Sequence, residues 1–114
     1  FHYRDSIDNI LSKETYKVHI ELKTLRAGDE VFITGNQSVL GNWNPNKIKM
    51  KRISDYVRAI DLDLHYPALF KFTRGSWQTQ GFLENNSSYG NLRIESPDRH
   101  NYKFVMDSWS DVPN

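Results

Sequence analysis

Cysteine is absent from all 114 residues. That excludes a disulfide framework, a thiolate zinc site and a cysteine nucleophile, and it leaves the compartment open. No apolar run approaches the roughly 20 residues a membrane-spanning helix needs, so no membrane is expected as a partner. Charge of one sign is missing too: 15 Lys and Arg stand against 14 Asp and Glu, a net +1. Neither nucleic acid nor an anionic lipid surface is therefore expected to bind. A secretory leader is not recognisable, and a start at Phe1 instead of methionine suggests one module cut from something longer.

What is present is aromatic and polar at once. The aromatic share of 13% argues against disorder, although the mean hydropathy of −0.70 is low for a globular domain. The length fits one domain with a single core. From Tyr16 the pattern has period two. Tyr16, Val18, Ile20 and Leu22 alternate with Lys17, His19, Glu21 and Lys23, the signature of a half-buried strand. Further strands are expected at residues 31–34, around Ile48 and Met50, at 56–64, 69–73, 77–82, 92–95 and 102–106. In the strand at 56–64 Tyr56, Ile60, Leu62 and Leu64 share the inward face; in that at 69–73 Phe70 and Phe72 point in and Lys71 out. The basic run 47–52 reads as a solvated strand face. Gly35-Asn36, Gly41, Pro45, Pro67 and Arg74-Gly75 supply turns, and residues 84–91 (ENNSSYGN) a polar loop. Ahead of the strands, Ile7, Ile10 and Leu11 behind Asp5-Ser6 suit a short helix or an arm. Short strands with turn chemistry between them point to an all-β antiparallel sandwich of about seven to eight strands, immunoglobulin-like, over residues 16–114, with an N-terminal arm or linker at 1–15.

Catalytic chemistry is hard to find. The four histidines, His2, His19, His65 and His100, have no metal-ligand spacing. Asp61 and Asp63 lie side by side on one strand face, whereas glycoside hydrolysis needs two carboxylates facing each other across a cleft. Ser76 lacks a strand-to-helix nucleophile elbow. The expectation is a protein that is not an enzyme and has no metal and no cofactor.

The stretch 31–45 (VFITGNQSVLGNWNP) is the most informative. Trp43 stands in a cluster of Gly, Asn and Pro, where packing is thin and access easy. A sugar ring has an apolar C–H face and a polar rim, so a protein that holds a glucan needs flat exposed aromatics and a few Lys or Asn groups. Trp43, Lys71, Trp77 and a nearby Asn would supply them. The same tryptophans could instead fill the sandwich core; pattern alone leaves both open.

GNQSVLGNW at 35–43, FKFTRGSW at 70–77, NLR at 91–93 and MDSW at 106–109 occur in this order. Together they resemble the starch-binding domains of carbohydrate-binding module family 20, over about residues 16–109. The resemblance implies a β-sandwich that holds α-1,4-glucan without chemistry of its own, tethered to a hydrolase. It implies Trp43 and Trp77 as stacking platforms, Lys71 as a hydrogen-bond donor between them, Asn91 as the asparagine near the second platform, and Trp109 as a structural residue. Phe32 replaces the tyrosine of a second glucan site, so one site is expected. Tyr56 stands where a tryptophan is common and is expected in the core. Asn91 and Arg93 are separated by Leu92, and Ala68-Leu69 replaces an acidic residue. The form FKFTRGSW also resembles domains of secreted or periplasmic bacterial proteins joined to esterase-like hydrolases. That suggests a secreted or periplasmic monomer, and keeps a structural interdomain sandwich as the alternative.

Overall fold

A computed structural model describes residues 14–83, 92–95 and 99–109. The expected N-terminal helix, the polar loop 84–91 and Asn91 within it lie outside the described residues. Nine strands are described: β1 Tyr16–Lys23, β2 Phe32–Gly35, β3 Ile48–Lys49, β4 Lys51–Ser54, β5 Val57–Leu64, β6 Ala68–Thr73, β7 Gly81–Leu83, β8 Leu92–Ile94 and β9 Asn101–Trp109. Two 3-10 turns, Ser38–Trp43 and Trp77–Thr79, interrupt them. Among the described residues no helix is long and apolar enough to cross a membrane.

The strands form two sheets, ordered β4-β5-β1-β9-β7 and β3-β2-β6-β8. Period-two alternation decides which side chains meet between them. Val18, Ile20 and Leu22 of β1 are fully buried, as are Ile33 of β2 and Phe70 of β6, with Phe72 at 1%. Phe104 of β9 reaches across to both phenylalanines, with ring centroids 6.0 and 5.7 Å away, while Phe70 and Phe72 meet edge-on at 5.8 Å. Interlocked aromatic pairs of this kind add to plain area burial. The core is therefore made by the alternating apolar residues read from the sequence, and the fold is the all-β sandwich expected.

Several details differ from the expectation. The sandwich is not wholly antiparallel, because β1 runs parallel to β9, with His19 opposite Asn101 and Lys23 opposite Val105. A parallel pair needs a long crossover, and here it is the rest of the chain, invisible to a reading of local turns. The run 47–52 is two strands in different sheets: β3 pairs with β2 and β4 with β5, and Met50 between them is buried. Tyr56 is not core. It lies in the turn between β4 and β5 and is 49% exposed.

Arg58 takes the inward place next to it. Its buried guanidinium donates to the carbonyls of Asp29 (3.0 Å), Ser54 (2.9 Å), Asp55 (3.1 Å) and Ala27 (2.9 Å). A buried charge is tolerable when its donors are all met by oxygen. This arginine thereby ties the β1–β2 connection to the β4–β5 turn. Asp29 continues the tie: its carboxylate accepts from the Thr24 hydroxyl, the Arg26 N–H at 3.2 Å and the indole N–H of Trp109 at 3.1 Å. Trp109 is 1% exposed and carries the Arg74 guanidinium 5.0 Å above its ring.

Candidate functional site

Trp43 closes the first 3-10 turn, which follows β2 directly. Two amides fix that turn. Asn36 donates to the Pro67 carbonyl at 3.0 Å and accepts from the Leu69 N–H at 3.1 Å. Gln37, buried, donates to the His65 carbonyl at 3.0 Å and accepts from the His65 N–H at 2.8 Å. The backbone carbonyl of Gln37 then receives the N–H groups of Leu40 and Asn42. Beyond it, the Thr73 hydroxyl holds the Pro45 carbonyl at 2.6 Å. The loop is thus bonded at both ends to the segment that leads into and along β6.

The turn itself comes later than the sequence suggested. Gly35 does not adopt a positive φ; the left-handed residues are Gly41 (φ 75°), Asn42 (φ 49°) and Trp43 (φ 66°). Gly35 is required for space instead. A Cβ there would stand 2.2 Å from the Leu69 carbonyl oxygen and 2.7 Å from Leu40 Cδ1. The close approach of this backbone to β6 is what brings the Trp43 loop alongside the strand carrying Lys71.

Trp77 opens the second 3-10 turn. The expected strand over 77–82 is replaced by this turn and by the three-residue strand β7. Its cause is a capping box: Ser76 and Thr79 satisfy each other's backbone groups. The Thr79 hydroxyl also accepts from the N–H groups of Arg74 and Ser76, at 3.1 and 3.2 Å. Gly75, at φ 109°, makes the reversal that glycine allows.

The two loops meet. The rings of Trp43 and Trp77 lie 6.3 Å apart between centroids and are inclined at 37°. Trp77 is 37% exposed and Trp43 half-buried, so neither belongs to the core, where Trp109 sits. Lys71, on the outer face of β6 opposite Thr34, donates to the Gln80 side-chain carbonyl at 3.0 Å. The Gln80 amide in turn donates to the Trp77 carbonyl at 3.1 Å. Of the four residues picked from the sequence, Trp43, Lys71 and Trp77 are brought together; Asn91 lies outside the described residues. Gln80 was missed. No motif marks it, although the Ser76–Thr79 spacing could have given away the turn that presents it.

The other polar clusters lie elsewhere. His19, on the outer face of the five-stranded sheet, holds Glu21 Oε1 at 3.0 Å and Asp61 Oδ1 at 2.7 Å through its two ring nitrogens. These bonds, Glu21's first and Asp61's second, raise its pKa above the usual histidine value against a lowering by burial. Among the described residues no group of three His, Cys, Asp or Glu side chains is placed to hold a metal ion.

A two-sheet β domain with a tilted pair of tryptophans on its surface has the form of a carbohydrate-binding module. Its sequence matches the model of the starch binding domain family over residues 15–86, more than half of the chain, and the chain belongs to that family, carbohydrate-binding module family 20. No curated protein matches the chain.

Proposed function

We propose that this module holds α-1,4-glucan, as starch, glycogen or maltooligosaccharide, and performs no chemistry on it. The observation that carries this reading is the Trp43–Trp77 pair, two indoles side by side outside the core and inclined at 37°. Two flat faces at an angle suit successive sugar rings of a curved chain better than those of a straight ribbon. Lys71 bonds hydroxyls beside the platform, and family likeness alone adds Asn91 as a second polar contact. Covering one platform face contributes about 1–3 kcal/mol by buried area. After the cost of ordering ligand and side chains, one short site binds in the micromolar to millimolar range. An affinity of that order is useful to a module fused to a hydrolase, because tethering raises the enzyme's effective concentration at the polymer.

Co-sedimentation with insoluble starch tests the reading. The intact chain should pellet with the granules, and soluble maltoheptaose should release it. Trp43→Ala and Trp77→Ala, with unchanged thermal unfolding, should stay in the supernatant. An intact chain that also stays there would leave the two tryptophans as a surface for protein, as in an interdomain sandwich.

A further inference from the structure

Lysine is a poor recognition group when left alone. Its ammonium rides on four rotatable bonds, and fixing them on binding costs conformational entropy. Lys71 is held before any ligand arrives. Its Nζ donates to Gln80 Oε1 at 3.0 Å, and Gln80 Nε2 donates to the Trp77 carbonyl at 3.1 Å. Both ends of one amide are therefore used, one on the ammonium and one on the platform loop. Gln80 is itself fixed by its backbone, which bridges Thr73 on β6, two residues along the same strand face from Lys71.

We infer that Gln80 is a positioning residue for the glucan site, joining the Lys71 ammonium to the Trp77 turn so that the charged donor and the second platform are set as one unit. The inference rests on the glucan-binding reading and deepens it. The coupling runs through the amide: a move of the Trp77 turn shifts the carbonyl that holds Gln80, and Gln80 carries an acceptor of Lys71. Because the rotamer is already chosen, the ligand does not have to choose it.

A double-mutant cycle on the full chain tests this, with maltoheptaose titrated into the parent, Lys71→Ala, Gln80→Ala and the double variant, each checked for unchanged thermal unfolding. Gln80→Ala should weaken binding by about 2- to 10-fold, the range expected from freeing one rotamer-rich side chain. In the Lys71→Ala background the same change should have less than half of that effect on a logarithmic scale. Equal effects in both backgrounds, or none in the parent, would overturn the inference. A second readout needs no ligand. The nuclear-magnetic-resonance order parameter of the Lys71 side chain should fall in Gln80→Ala, and an unchanged value would overturn the inference as well. A parent chain that does not bind maltoheptaose, yet whose Lys71 loses order in Gln80→Ala, would refute the glucan reading and leave the positioning role standing.

Discussion

Gly41, Asn42 and Trp43 hold three consecutive left-handed backbone conformations. Glycine and asparagine adopt them readily, but tryptophan does not, and a bulky residue there costs on the order of 1–3 kcal/mol. The contacts that offset this strain are those of Asn36 and Gln37 to residues 65–69, together with the Thr73–Pro45 bond. Gly35 is the tightest point of the arrangement. Gly35→Ala would put a methyl group against the Leu69 carbonyl, and the main chain would have to part. A loss of about 1–3 kcal/mol in chemical unfolding is expected, with glucan binding weakened alongside because the Trp43 loop moves away from β6. Arg58 is the second decisive residue. Arg58→Lys keeps the charge but cannot reach the same set of carbonyls with one ammonium; it should cost about 2–4 kcal/mol in the same assay. The sequence pointed to Gly35 as special for the wrong reason, and it could not reveal Arg58, because an arginine at an inward position looks like an interruption of the pattern until its acceptors are known.

At the scale of elements, the strands that alternate cleanly were legible and the loops that build the site were less so. β1 and β6 are read directly from their period, since buried apolar residues alternate with residues of the other face, charged along β1 and carrying Lys71 on β6. The segment after Gly75 was not, because hydrogen bonds between Ser76 and Thr79 outcompete the strand tendency of its aromatic residues. Tyr56 was misplaced for a related reason: the β4–β5 turn extends to it, so period two starts one residue later than assumed. Pairings across the sheet remain outside any local reading. One of them joins β1 to β5 through the His19–Asp61 contact, with Glu21 on the other ring nitrogen. The folded-state pKa of His19 is raised, so this pair adds stability that is full below the ordinary histidine value near 6.5 and is lost as pH rises through the raised value. Thermal unfolding should accordingly show a small decline in midpoint from mildly acidic to alkaline pH, damped by solvent at this exposed site. His19→Gln should flatten that decline; an identical slope in the variant would place its origin elsewhere.

For the whole molecule, the sandwich is a frame that aligns two loops at one place on its surface. The core needs neither Trp43 nor Trp77; it is filled by Phe70, Phe72, Phe104 and Trp109 with the aliphatic residues of β1, β2 and β5. Removing either surface indole should therefore leave stability nearly unchanged, within about 1 kcal/mol as for surface changes in general, while removing affinity. That separation of stability from binding is the mark of a site built on a scaffold. Isothermal titration of the full chain with maltoheptaose, beside Trp43→Ala and Trp77→Ala, measures it most directly. Saturable heat is expected for the parent chain in the micromolar to millimolar range, and none for two variants that unfold at the parent's temperature. Binding that survives both substitutions, or a parent chain that gives no heat, would contradict it.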